Sequence, residues 1–162
     1  MSFCRPDFVR MSNPRVGKSK THDHVQFAAL PYQLGGEGRT RVMLLTSRET
    51  RRWVIPKGWP MPGRKPSEVA AQEAFEEAGL LGKIVGKRPI GSYHYEKQLS
   101  RHQGILCEVM VFLFLVERQL DDWPEKTERE TRWFEPSDAY SSVDEGGLAE
   151  ILRRTMPVGV GR

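Results

Sequence analysis

The chain has 162 residues, 38% of them hydrophobic and 28% charged, which fits one folded domain rather than a disordered chain. At this length roughly two-thirds of the unfolded surface can be buried, so neither a disulfide nor a structural metal is needed to hold the fold. The net charge of +4 admits nucleic acid, polyphosphate and other anionic small molecules as partners. Residues 1–20 read as a basic tail, with Arg5, Arg10, Arg15, Lys18 and Lys20 among Pro, Ser, Asn and Gly. This N-terminus lacks the apolar core of a signal peptide. Cys4 and Cys107 form no CxxC pair, which suits a reducing compartment, so a cytoplasmic location is expected.

A single domain is expected over 21–155, followed by a short tail over 156–162. Val25 to Gln33 is apolar and β-favouring, the turn Gly35-Gly36-Glu37-Gly38 follows, and Thr40 to Thr46 reads as a second strand. Trp53 to Pro56 is a third, short strand. The loop KGWPMPGRKP then leads into a helix from about Ser67 to Ala78, stopped at Gly79. Lys83 to Tyr95 reads as extended, and Ile105 to Val116 as a long buried strand, too short to cross a bilayer as a helix. Within it Cys107 reads as core, and Glu108 as a solvent-facing residue near the strand's start. Thr131 to Phe134 is one more strand and Leu148 to Arg154 a closing helix. Strands before and after a central helix give an α/β or α+β class with a mixed sheet.

The central helix carries the chemistry. Ala71, Ala74, Phe75 and Ala78 fall at i, i+3, i+4 and i+7, an apolar stripe narrow enough to pack closely on a sheet. Glu73, Glu76 and Glu77 are expected on the opposite side, aimed away from the sheet. From Ser67 to Ala78 there is no Lys or Arg to pair with them. They also crowd the C-terminal half, where the helix dipole disfavours negative charge. A divalent cation held by Glu73 and Glu77 at i,i+4 would offset the repulsion, and oxygen-only ligands favour Mg²⁺ or Mn²⁺ over Zn²⁺.

The stretch GWPMPGRKPSEVAAQEAFEEAGL, Gly58 to Leu80, resembles the signature of the Nudix hydrolases. Gly58, Glu73, Ala74, Glu76, Glu77, Gly79 and Leu80 occupy the signature's positions. Arg64 stands where the family has a Glu, and Gln72 where it has an Arg, two residues that help shape the loop and orient the glutamates. One expectation is therefore that Arg64 swings onto a helix carboxylate. TSRETRRWVIPKG and LDDWPEKTERETRWF are similar to the diphosphoinositol-polyphosphate and diadenosine-polyphosphate hydrolases.

The resemblance implies an α/β/α sandwich with a mixed sheet between helices, and a divalent-metal-dependent pyrophosphohydrolase that breaks a P–O–P bond. It implies Mg²⁺ or Mn²⁺ held by Glu73, Glu76 and Glu77, with the Lys57 carbonyl as a further oxygen. The catalytic residues it implies are Glu76, Glu77 and Glu130; Glu125 and Glu128 are the next candidates after Glu130 in the late loop. Arg48, Arg52 and Lys57 are assigned to phosphate binding, Lys97, Arg101 and His102 form a second basic cluster, and Trp59 and His94 are candidates for stacking. The expected substrate is a phosphorylated small molecule, a diadenosine or diphosphoinositol polyphosphate before a nucleoside triphosphate or ADP-ribose. Nucleic acid enters only as an RNA 5′ end, and no membrane is involved. A non-catalytic nucleotide- or RNA-binding module on the same scaffold is the alternative.

Overall fold

The computed structural model describes residues 24–156. The basic tail, Cys4 and 157–162 lie outside the described residues. Among the described residues eight strands form one mixed sheet: β1 (Val25–Leu34), β2 (Thr40–Thr46), β3 (Trp53–Val54), β4 (Lys57–Gly58), β5 (Leu80–Val85), β6 (Gly91–Ser100), β7 (Gln103–Gln119) and β8 (Thr131–Phe134). Three helices accompany them: α1 (Pro66–Ala78), α2 (Pro136–Ser142) and α3 (Gly146–Thr155). The central order is β3-β2-β1-β7-β5. β1 and β7 run parallel from Val25↔Glu108 to Tyr32↔Leu115, and the other pairings are antiparallel.

The strand period of two sorts side chains to the two faces. Ala28 and Leu30 of β1, Val42 and Leu44 of β2, and Val109 and Val111 of β7 join Ala139 of α2 and Leu148, Ile151 and Leu152 of α3. Ala29, Met43, Leu45, Phe112 and Phe114 face the other way, onto Ala70, Ala74 and Ala78 of α1. Both faces of β7 are therefore covered, which is why its sequence is apolar without alternation. The expected α/β/α layering is present. Cys107 is fully buried and unpaired. No described helix is long and apolar enough to cross a membrane.

Several boundaries differ from expectation. The segment Trp53 to Pro56 is not one strand: β3 pairs with β2, β4 pairs with β1, and Ala29 N–H donates to Pro56 O at 3.0 Å. Lys83 to Tyr95 divides at a turn containing Gly86, whose φ is +84°. β7 is longer at both ends, because the hairpin with β6 extends its start and pairing with β5 extends its end. Helix α2 was not foreseen. Its sequence, PSDAYSS, spans barely two turns with no apolar repeat, and the Ser141 and Ser142 hydroxyls donate back to the Ser137 and Asp138 carbonyls.

The buried face of α1 also departs from the predicted stripe. Val69, Ala70, Ala74 and Ala78 are buried, whereas Ala71 and Phe75 are only half-buried. Glu73 and Glu77 lie on the buried half, 9% and 6% exposed, and only Glu76 turns outward. The helix is covered by β4 and the loop after β7 as well as by the sheet, so the wheel's polar side is not its solvent side.

Candidate active site

Helix α1 is fixed at both ends. Pro66 opens it, with φ already near the helical value, and the Glu68 carboxylate accepts the Lys65 N–H at 2.9 Å. Gly79 closes it at φ +66°, and its N–H donates to Phe75 O at 2.9 Å. A Cβ on Gly79 would overlap the Trp123 ring. The carbonyls at this end receive donors from the end of β7 and the loop after it. Trp123 Nε1 donates to Glu77 O at 3.2 Å, Gln119 Nε2 to Ala78 O at 3.0 Å, and Glu125 N–H to Glu76 O at 3.0 Å. Helix and loop are thereby joined where the glutamates stand.

β4 crosses beside the buried face of α1. Lys57 N–H donates to Glu77 Oε2 at 3.2 Å, and Gly58 lies so close to Glu73 that any Cβ there would overlap its carboxylate. The glycine is required for this approach, independent of any turn. Arg129, its side chain 9% exposed, completes the arrangement: Nη2 donates to Glu77 Oε1 and to Glu125 Oε1, both at 3.2 Å, and Nη1 to the Thr46 carbonyl at 3.2 Å. Gln72 Nε2 donates to Glu76 Oε1 at 2.9 Å. Arg64 is exposed and takes no part in an ion pair, so the expected swing onto a helix carboxylate does not occur; Arg129 holds Glu77 and Gln72 holds Glu76.

Burial raises the Glu73 carboxyl to about 8, reinforced by the Glu77, Glu76 and Glu125 charges. Burial also raises Glu77, to about 7, against the opposing pull of Arg129 and Lys57. Burial lowers the Lys57 ammonium, against the pull of Glu145 and Glu77. Two carboxylates held close in a poorly solvated place, offering only oxygen, fit a hard divalent cation. Among the described residues no three acidic, His or Cys side chains already converge on one point, because Arg129 stands between Glu77 and Glu125. Glu73 and Glu77 are the pair that could hold the ion, with Glu125 beyond the guanidinium.

These groups line a cleft of about 630 Å³. Glu73, Glu77, Arg48, Arg52, Lys57 and Lys97 all reach it, with Glu125 and Trp59. Lys97 Nζ lies 5.4 Å from the Trp59 ring centroid, and Lys57 Nζ lies 5.0 Å from that of Tyr95. The remaining candidates fall elsewhere. Glu76 is half-buried against Gln72 and does not line the cleft. Glu130, just before β8, is exposed and pairs with Arg132 at 2.9 Å. Glu128 is exposed and 3.7 Å from Arg48. Arg101 and His102 form the exposed turn between β6 and β7, outside the cleft lining, and His94 is exposed. Glu108 is half-buried, paired across from His94.

Arg129, Glu145, Tyr95 and Gln26 belong to the site without having been singled out. Arg129 sits in KTERETR, where charges alternate and nothing marks one arginine. The absence of Arg at position 72 was the available signal, since it leaves a buried glutamate in need of a cation from elsewhere.

The family profile described as the NUDIX domain matches residues 23–156. Diphosphoinositol polyphosphate phosphohydrolase 3-beta of Bos taurus is 30% identical over 139 residues, covering 84% of this chain and 75% of that protein. Nudix hydrolase 17, mitochondrial, of Arabidopsis thaliana is 27% identical over 125 residues, covering 75% of this chain and 66% of its own length. The chain thus spans about two-thirds to three-quarters of these two relatives. An Ap4A hydrolase of C. elegans in a binary complex superposes with a TM-score of 0.61 at 18% identity, over 82% of this chain and 94% of that one, a likeness of fold. A profile that spans every described element, over a helix whose Glu73 and Glu77 are held by Gly58, Lys57 and Arg129, makes this chain a member of the Nudix family.

Proposed function

We propose that the protein is a divalent-metal-dependent pyrophosphohydrolase acting on a diadenosine or diphosphoinositol polyphosphate. One observation carries this reading: the buried Glu73–Glu77 pair shares a cleft of about 630 Å³ with Arg48, Arg52, Lys57 and Lys97. Acid to hold a cation and base to hold successive phosphates are both needed to cleave a P–O–P bond, and neither is useful alone. The names of the bovine and C. elegans proteins support this substrate class.

When bound, Mg²⁺ or Mn²⁺ supplies charge neutralisation on the pyrophosphate and a more acidic water. Glu73 and Glu77 would hold it, while Lys57 N–H and Arg129 keep the Glu77 carboxylate oriented, one at each oxygen. Glu76, expected as a third ligand, would have to leave Gln72 to reach them. Arg48, Arg52, Lys57 and Lys97 bind and align the phosphates. The late-loop catalytic role expected of Glu130 passes to Glu125, which lines the cleft. Its Oε1 is held by Arg129 and faces Arg48 at 3.7 Å, leaving Oε2 to take the proton of the attacking water. The cytoplasm is the proposed location.

A second reading, a nucleotide- or RNA-binding module without turnover, draws on Arg129, which already neutralises Glu77. The two part on one assay: phosphate release from diadenosine polyphosphates, diphosphoinositol polyphosphates, nucleoside triphosphates, ADP-ribose and triphosphorylated RNA with Mg²⁺ and Mn²⁺. Turnover abolished by EDTA and lowered at least about a hundredfold in Glu77→Gln is expected. Binding without release on every member would establish the module instead.

A further inference from the structure

Among the described residues two buried side-chain atoms have no hydrogen-bond partner, the Tyr93 hydroxyl and Glu145 Oε2. Glu145 precedes α3, yet its side chain makes no capping bond, and it also lines the cleft. No cation pairs with it: Arg52 Nε lies 3.7 Å from the neighbouring Asp144, and the Lys57 ammonium lies over the Tyr95 ring. Tyr95 in turn donates to Gln26 Oε1 at 2.5 Å. Lys57 and Arg52 attract the Glu145 charge but neither donates a hydrogen bond to Oε2, and an unmade bond at a buried oxygen costs stability. A carboxylate only accepts, so its complement is an O–H or N–H donor. The terminal torsion of Glu is a broad two-fold rotor, and no cap bond or ion pair locks this one, so it can turn to a donor entering the cleft.

We propose that Glu145 is a specificity-determining contact that accepts a hydrogen bond from the organic part of a nucleoside polyphosphate, through a sugar hydroxyl or a base amine. This rests on the pyrophosphohydrolase reading for the phosphate end and divides its two substrate arms. A fully phosphorylated inositol ring has every hydroxyl esterified and brings Glu145 only repulsion, as does inorganic polyphosphate. A nucleoside brings the donor.

Equilibrium titrations with Ca²⁺ in place of Mg²⁺ test this on wild type, Glu145→Ala and Glu145→Gln. The ligands are diadenosine tetraphosphate, diphosphoinositol pentakisphosphate and inorganic tripolyphosphate. Glu145→Ala is expected to weaken the dinucleotide about tenfold or more while leaving the other two unchanged or tighter. Glu145→Gln keeps the size and one acceptor, so it guards against misfolding and should retain part of the selectivity. Equal losses for all three ligands, or an unchanged dinucleotide affinity, would overturn the assignment. Wild type that binds none of the three overturns it together with the pyrophosphohydrolase reading. Dinucleotide binding that depends on Glu145, without phosphate release under Mg²⁺, sinks only that reading.

Discussion

Gly58 and Arg129 act on neighbouring carboxylates of α1 in opposite ways, one by leaving Glu73 room with no side chain and the other by reaching across to Glu77 with a long one. Gly58→Ala should displace Glu73 while leaving the sheet intact, since the overlap is with a side-chain end. Metal-dependent turnover is expected to be lost with the circular dichroism spectrum unchanged; full activity in this variant would show that Glu73 is dispensable. Arg129→Met removes the cation from a pair that is nearly solvent-free, leaving Glu77 and Glu125 facing one another. Removing one partner of a buried pair costs about 3–5 kcal/mol. The thermal midpoint should fall accordingly, and Mg²⁺ should recover more of it than in wild type. At the cleft wall, Arg52→Ala should raise KM about tenfold, whereas Arg101→Ala, on the exposed hairpin turn, should leave it nearly unchanged.

Helix α1 is electrostatically strained in the metal-free protein, and the strain has a defined pH sign. Glu73 and Glu77 titrate near 8 and 7 when folded, against an ordinary value of 4.5. The folded state therefore retains protons that the unfolded chain has already released. Stability from this pair is present below about 4.5 and declines as pH rises through 7 and 8. Protons compete with the metal for the same oxygens, so metal affinity runs the other way. The rise in thermal midpoint produced by Mg²⁺ should be larger at pH 8.5 than at pH 6. Equal increments at both would mean that the ion is not held by these two groups.

Across the molecule, the layering was legible because the strands carry their pattern openly: the apolar run of β7 from Val109 to Val116 belongs to a strand covered on both faces. The signature from Gly58 to Leu80 likewise pointed to the helix that lines the candidate cleft. What could not be read was contact across the chain. Glu77 is 20 residues from Lys57 and 52 from Arg129, and a helical wheel assigns it to solvent because it ignores the loop that covers it. Arg64 was the sequence neighbour and Arg129 the spatial one. Positive groups from β4, β6 and the loop after β2 converge on a single cleft in a chain of net charge +4, so polyphosphate affinity should fall as salt is raised. Titrations at low and high ionic strength measure that slope; a flat response would remove phosphate contacts as the source of binding.

The end of β7 and the loop after it tie off the C-terminal carbonyls of α1 through Gln119, Trp123 and Glu125, and that loop sends Arg129 back to Glu77. These two segments, distant in sequence, should consequently open together. In hydrogen–deuterium exchange the amides of 66–79 and 120–130 are expected to share one opening rate, and occupancy of the glutamates to slow both by the same factor. A ligand sensed at the helix would then be reported at once by the loop that carries Glu125, without any rearrangement of the sheet beneath them.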